Sequence, residues 1–341
     1  MERILITGGG GFIGSHLARH LYQQGHFVRV VDIKFDDYIQ ERHYTERLKL
    51  DLRKWENCLL ATKGIDRVYN LAANMGGIGF ITTVGAEVMH DNTLIDTHML
   101  EASRQNKVKR FLFSSSACVY PTYRQKTPNV KGLKEEDAYP ADPDNFYGWE
   151  KLFTERLCEA YRRDHGLDIR IVRYHNVYGP EGTYKGGREK SPAALCRKVV
   201  EAHNPGTITI WGDGKQTRSY CYIDDAVEGT ILLMESDYNK PINIGSERLI
   251  TVDELADIII EISGKTITKT HDPTAPQGVR GRNADITLAR KILGWEPQSI
   301  YKEGLEKTYK WIEMKCSEDR KALSKLRKIE HLTKIPSTTK P

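Results

Sequence analysis

Ile4-Leu5-Ile6-Thr7-Gly8-Gly9-Gly10-Gly11-Phe12-Ile13-Gly14 opens as a short apolar strand, breaks into glycines, and leads into a helical pattern over residues 15–24. Gly8, Gly11 and Gly14 take the spacing G-x-x-G-x-x-G. Such a turn needs a residue without Cβ, lets the backbone approach a pyrophosphate, and leaves the N–H groups and positive end of a helix facing that anion. A glycine-rich turn is often only a turn. Here strand, turn and helix occur in the required order, and the apolar run 27–31 ends in Asp32, roughly twenty residues after the loop. An acid there suits a ribose diol and repels a 2′-phosphate, so NAD is expected and NADP is not. Phe12 and Ile13, at the helix start, join the expected cofactor contacts.

Outward from this unit, strand and helix signals alternate. Leu48-Lys49-Leu50-Asp51-Leu52 reads as a third strand, with Asp51 and Leu52 beside the adenine. Residues 66–71 read as a fourth, closing on Ala72, where a small side chain lets a cofactor pass. Helices are expected over 87–104 and 145–165, and strands over 109–115 and 168–173. This alternation specifies an α/β fold, a Rossmann-type doubly wound parallel sheet with right-handed crossovers.

After the sixth strand the pattern changes to loops dense in Gly, Pro and charge, around residues 176–180, 184–192, 211–219 and 278–283. Cations on glycine-rich backbone are what a diphosphate and a nucleoside require. Any one loop is as easily a solvated turn, but four in one lobe argue for a binding surface. Residues 220–234 and 242–245 look like segments returning to the main sheet, which makes the smaller α/β substrate-binding lobe discontinuous. The expected division is 1–174 plus 219–247 for the NAD domain, 175–218 plus 248–314 for the lobe, and 315–341 for a basic, frayed tail.

Composition excludes several classes. Of 341 residues, 39% are hydrophobic and 28% charged, ordinary for a soluble globular protein. Residues 315–341 hold eight Lys/Arg against three Asp/Glu, a net of +5 equal to the whole chain's formal charge, so the body is neutral and no nucleic-acid partner is implied. No apolar run approaches the ~20 residues of a membrane span. Met1-Glu2-Arg3 runs straight into the first strand, leaving no room for a signal peptide. The six cysteines are scattered, without a Cys-x-x-Cys pair or a His cluster at metal spacing, so no metal site is expected and the cytoplasm is the expected compartment.

The strand-like run Arg110-Phe111-Leu112-Phe113 feeds Ser114-Ser115-Ser116-Ala117-Cys118-Val119-Tyr120-Pro121. A hydroxyl at the mouth of a parallel strand can hold a substrate oxygen, and a thiol two residues later can, once deprotonated, accept a proton from carbon. Tyr147 and Lys151, at i and i+4, share one helix face. A Tyr/Lys pair at that spacing is common by chance, and only Ser116 with the cofactor loop makes it catalytic. Cys58, Cys158, Cys196 and Cys221 read as small structural side chains.

With these motifs the chain resembles the extended short-chain dehydrogenase/reductase superfamily and, within it, the GDP-mannose 3,5-epimerase family. The resemblance runs from about residue 1 to Trp311 and rests on Asn74-Met75-Gly76-Gly77, Ser115-Ser116-Ala117-Cys118, Lys185-Gly186-Gly187-Arg188-Glu189-Lys190, Trp211-Gly212-Asp213-Gly214, Gln216-Thr217-Arg218-Ser219 and Val279-Arg280-Gly281-Arg282-Asn283. It implies an NAD-dependent isomerase acting on a GDP-hexose, active as a homodimer through helices 87–104 and 145–165. Ser116 and Tyr147 would then serve transient oxidation at C4, with Lys151 favouring the phenolate. Cys118 and Lys190 would be the proton-transfer pair for C3 and C5, although from the residues alone Lys190 could equally be a surface lysine or a phosphate contact. The resemblance assigns Gly76, Ser116, Ala117, Cys118, Asn176, Glu189, Lys190, Ser191 and Lys198, with Gln216, Thr217, Arg218 and Arg282, to the substrate.

Three rival readings remain. A simple C4 epimerase of another nucleotide sugar needs Ser116, Tyr147 and Lys151 but no second acid/base pair. A 4,6-dehydratase usually carries Asp-Glu where this chain has Ala117-Cys118. A nucleotide-sensing Rossmann module would be expected to lose Ser116, Tyr147 or Lys151, and all three are present.

Overall fold

The computed structural model describes residues 1–35 and 43–333, with side chains up to residue 326. Five parallel strands interleaved with helices form the first half: β1 (Arg3–Thr7), β2 (Phe27–Asp32), β3 (Glu46–Lys49), β4 (Arg67–Asn70) and β5 (Arg110–Ser116). β6 (Asp168–Tyr174) and the strand Pro241–Ile244 complete a seven-stranded sheet in the order Pro241–Ile244, β6, β5, β4, β1, β2, β3, parallel throughout. The chain winds outward from β1 in both directions. This puts the topological switch point, where open α/β sheets bind ligands, at the carboxyl ends of β1 and β4.

Strand periodicity explains the layers. Ile4 and Ile6 enter one core while Leu5, between them, enters the other; Leu112 and its neighbours Phe111 and Phe113 divide the same way. Both faces are therefore covered, as a parallel sheet requires. The helices are α1 (Phe12–Gln23), α2 (Trp55–Thr62), the single turn α3 (Ile78–Ile81), α4 (Gly85–Gln105), α5 (Phe146–His165), α6 (Ser191–Glu201), α7 (Ile223–Glu235), α8 (Val252–Ser263), α9 (Thr287–Leu293) and α10 (Tyr301–Thr333). Asn145 caps α5 by accepting from the Gly148 N–H at 2.9 Å, and Gly166, at φ 68°, ends it.

Smaller sheets build the region beyond β6. Thr217–Ser219 pairs antiparallel with Leu249–Thr251 and parallel with Gly281–Arg282, and Gly206–Trp211 pairs with Ile267–Asp272. Two expectations shift. The third strand ends at Lys49, so Asp51 lies just beyond it in the turn before α2. The basic tail continues as helix α10 to Thr333, because Ile312 and Cys316 recur at helical spacing and are buried in the core. Residues 334–341 of the expected tail lie outside the described residues.

Candidate active site

The cofactor cradle follows from close approach. A Cβ on Gly14 would stand 2.2 Å from the Gly8 carbonyl oxygen, and Gly8 itself sits at φ 67°, against the Leu71–Ala72 backbone. The N-cap of α1 is Gly11, which has no side chain to cap with, so the first N–H groups of the helix face the loop unclaimed by a capping residue. Asp32 ends β2, and its carboxylate accepts from the Gly10 N–H at 3.1 Å and the Lys34 N–H at 3.2 Å. Burial pushes its pKa up, while those N–H bonds pull it back. Asp51 is gripped by Arg53 through Nε at 2.9 Å and Nη2 at 2.8 Å, which holds its carboxyl below the usual range. These residues fit a dinucleotide: an anion site at the helix end, an acid for a ribose, and half-buried Ala72 bordering the cleft.

Beneath the cleft a chain of buried polar groups leads to the helix α5 pair. Thr7 Oγ1 donates to Asn70 Oδ1 at 2.8 Å, and Asn70 Nδ2 donates to Asp96 Oδ1 at 2.7 Å. Asp96 Oδ2 accepts from Lys151 Nζ at 3.1 Å, both side chains being 1% exposed. Glu150 Oε2 lies 3.6 Å from the same ammonium. Burial pulls the Lys151 pKa down, but the Asp96 and Glu150 carboxyls outweigh it and hold it up. Burial pushes Glu150 up to about 8, with Asp96 adding to the rise, so at neutral pH it carries a proton beside Asp96.

Lys151 Nζ lies 5.7 Å from the Tyr147 ring centroid, and the Ser116 side chain lies beside the Tyr147 hydroxyl. Burial raises the Tyr147 pKa, while Lys151 works against that rise. Ser116 ends β5, and its Oγ accepts from the Cys118 N–H at 3.2 Å, turning the chain into the 3-10 turn Ala117–Val119. Gly148 permits this meeting, since a Cβ there would lie 2.2 Å from the Cys118 carbonyl oxygen.

Cys118 is half-buried, whereas Cys58, Cys158, Cys196, Cys221 and Cys316 are buried; all six are free thiols. Arg282 Nη1 donates to Cys118 Sγ at 3.4 Å. Arg282 is aimed by Gln125, whose Oε1 accepts from Nε at 2.6 Å, and by Asp144 at 3.6 Å. Its buried Nη2 is the atom that faces Asp144, and at that distance it makes no hydrogen bond among the described residues. Lys190, at the N-cap of α6, is near enough to Cys118 for their charges to interact; burial lowers its pKa and the thiol partly restores it. Burial, reinforced by Arg282, pulls Arg218 down to about 10.

Other expected substrate residues line the lobe at varying remove. Arg218 donates to the Thr217 and Gln277 carbonyls, and Gln216 Nε2 donates to the Trp211 carbonyl at 2.7 Å. Asn176 Nδ2 donates to the Ser219 carbonyl, and Ser191 Oγ pairs with Tyr220 Oη at 2.7 Å. Glu189 is held by Arg197 at 2.9 Å. Lys198 donates to the Thr209 carbonyl beside the half-exposed Trp211 ring. Gly76 abuts Phe80, where a Cβ would come within 3.0 Å of the ring. Arg280 grips Asp213 with both Nη atoms. Sequence reasoning missed Asp96, Gln125 and Asp144. The available signal for Asp96 was its place on α4 one turn after Asn92, which is also buried. Among the described residues no group of His, Cys, Asp and Glu could hold a metal, and no helix is long and apolar enough to cross a membrane.

Residues 4–245 match the NAD dependent epimerase/dehydratase family. The chain is 48% identical to GDP-mannose 3,5-epimerase 1 of Oryza sativa subsp. japonica, over 93% of this chain and 83% of that protein. It is also 48% identical to GDP-mannose 3,5-epimerase of Arabidopsis thaliana, over 93% of this chain and 84% of that one. Among solved structures, UDP-glucose 4-epimerase from Thermotoga maritima, with UDP-glucose, superposes with a TM-score of 0.83 at 30% identity, covering 92% of this chain and 99% of that one. UDP-glucuronic acid 4-epimerase from Bacillus cereus, in complex with UDP-glucuronic acid and NAD, gives 0.79 at 28% identity, covering 91% and 99%.

Proposed function

The chain belongs to the NAD dependent epimerase/dehydratase family, and on that premise we propose that it is a GDP-mannose 3,5-epimerase, converting GDP-D-mannose to GDP-L-galactose and GDP-L-gulose. The observation that carries this reading is the meeting of Cys118, Arg282 and Lys190 beside Tyr147 and Ser116. A second proton-transfer pair has no use in a C4 epimerase. The rice and Arabidopsis relatives, each 48% identical, support the same activity.

The hydrogens on C3 and C5 of a hexose are not acidic. NAD, when bound, supplies the acceptor that makes C4 a ketone for part of each cycle, and that ketone acidifies both flanking C–H bonds. Tyr147 takes the proton of the C4 hydroxyl, holds it, and gives it back, with Ser116 beside its hydroxyl and Lys151 behind it. Cys118, with the guanidinium of Arg282 on its sulfur, accepts the carbon proton from one ring face. Lys190 delivers a proton to the other, a role suited to an ammonium whose pKa burial has lowered. Arg218 and Arg282 offer cationic donors to the diphosphate end.

The same reading extends to assembly and place. The chain works as a homodimer through α4 and α5, where Phe146, Trp149, Phe153 and Met89 expose large apolar surface. Six free thiols suit the cytoplasm. Residues 1–174 with 219–247 hold the cofactor, and 175–218 with 248–314 hold the nucleotide sugar.

Turnover in heavy water tests the proposal. The unmutated protein should form new GDP-hexoses from GDP-mannose, with deuterium at the inverted carbons. Cys118→Ser should bind GDP-mannose but fail to take up deuterium at C3 or C5. Deuterium entering the serine variant at near the normal rate would remove Cys118 as the base, and no new hexose from the unmutated protein would remove the activity itself.

A further inference from the structure

Lys190 stands at the end of residues 184–190 as the N-cap of α6, with Glu189 beside it held by Arg197, and the rest of the segment is fastened at two further places. At its root, Asp319 on α10 accepts from Tyr184 Oη at 2.7 Å and Lys185 Nζ at 2.5 Å, and Arg197 Nε donates to the Tyr184 carbonyl at 2.9 Å. At its tip, the Arg188 guanidinium lies 3.7 Å from the Phe80 ring centroid. Arg188 Nη1 donates to Asn74 Oδ1 at 3.1 Å, and the Arg188 carbonyl accepts from the Gly77 N–H at 3.0 Å. Phe80, Asn74 and Gly77 follow β4 at the rim of the cofactor cleft, so the tip ties the lobe to the opposite wall. Between root and tip stand Gly186 and Gly187, at φ 89° and 82°, with nothing within 4 Å of where a Cβ would be. The crossing itself is tight, since a Cβ on Gly77 would lie 2.4 Å from the Glu189 carbonyl oxygen.

We propose that residues 184–190 are a strap over the reacting sugar, with Gly186-Gly187 as its joint and Arg188 as the latch that positions Lys190 and keeps the oxidised sugar from leaving. This rests on the function proposed above. A sugar oxidised at C4 has lost a hydride and the hydroxyl proton, and if it escapes before the hydride returns, one reduced nicotinamide stays behind for each ketone lost. The root anchors lie on the lobe side of the glycine pair and the latch on the cleft side. Release of Arg188 therefore loosens the tip that leads into Lys190 while leaving Tyr184, Lys185, α10 and the Glu189–Arg197 pair in place. Arg188 is exposed, so its removal leaves no buried charge behind. Its stacking and hydrogen bonds bias the closed form by about tenfold.

The test compares the unmutated protein with Arg188→Ala and with Gly77→Ala, which lifts the strap by a clash instead of a lost bond. Each is given NAD, GDP-mannose and hydroxylamine as a ketone trap. Both variants should release trapped 4-keto sugar matched by an equal amount of reduced nicotinamide, and invert C3 and C5 about tenfold more slowly. Without substrate, amide hydrogen exchange at Gly77, whose N–H donates to the Arg188 carbonyl, should speed up about tenfold in Arg188→Ala, with no change at α10. Parental exchange and parental inversion, with no trapped ketone, would overturn the latch while leaving the epimerase reading intact. An unmutated protein that forms no new hexose would take down that reading and this inference with it.

Discussion

Replacing Asp96 by Asn takes one charge from a dry cluster and tests how that cluster is neutralised. Lys151 and Asp96 are each 1% exposed and 3.1 Å apart. Breaking such a pair ordinarily costs about 3–5 kcal/mol, because an ammonium is left buried without a counter-ion. Here Glu150, fully buried and 3.6 Å from the same nitrogen, holds a proton that it gives up at about pH 8. In Asp96→Asn the amide oxygen keeps Asn70, the NH2 turns toward Glu150, and Glu150 ionises to pair Lys151. Taking that proton off at pH 7 costs on the order of 1 kcal/mol, and loss of the Asp96 charge makes it easier, so the expected destabilisation falls well short of 3–5 kcal/mol. The sign with pH follows. Glu150 binds its proton more tightly folded than unfolded, so its protonated form stabilises the native state below the unfolded pKa of a glutamate, and that stability is lost as pH rises to about 8. The variant has already lost the proton and escapes this loss. The gap between the two proteins should therefore shrink by about 2 kcal/mol from pH 6 to pH 8. Urea unfolding at pH 6, 7 and 8 reads it directly. A gap that is the same at all three pH values, or one that widens with pH, would refute the shared-proton account.

Asp32→Ala removes the acceptor for the Gly10 and Lys34 N–H groups together with the charge facing the ribose. NAD affinity should fall about 10- to 100-fold, as for a lost charged hydrogen bond, and discrimination against NADP should relax; calorimetric titration with both cofactors checks it, and equal affinities in the unmutated protein would show the acid misread. Trp149→Glu should give a monomer at micromolar concentration in sedimentation, because a two-fold interface loses the ring twice, about 3–6 kcal/mol in all; a dimer of unchanged strength would place the interface elsewhere.

Local rules alone brought a reader a long way into this chain. Strand, glycine turn and helix at residues 4–24, and the alternation that follows, depend on steric and hydrogen-bond preferences that act over a few residues, so the parallel sheet was legible from them. The place of Ser116 at a strand end, and of Tyr147 with Lys151 on one helical turn, was legible for the same reason. Other features depended on residues far apart in sequence. Arg282 reaches Cys118 across 164 positions, and Asp319 fastens the Lys190 segment from α10, where composition had suggested a frayed end. Asp96 carried no local mark of its partnership with Lys151, 55 positions away. Spacing reports which side chains share a face of one element; only the packed sheet and its lobe bring the faces of different elements together. The charge state of a buried group depends on those assembled neighbours, so the proton on Glu150 and the cation on the Cys118 sulfur belong to the tertiary structure.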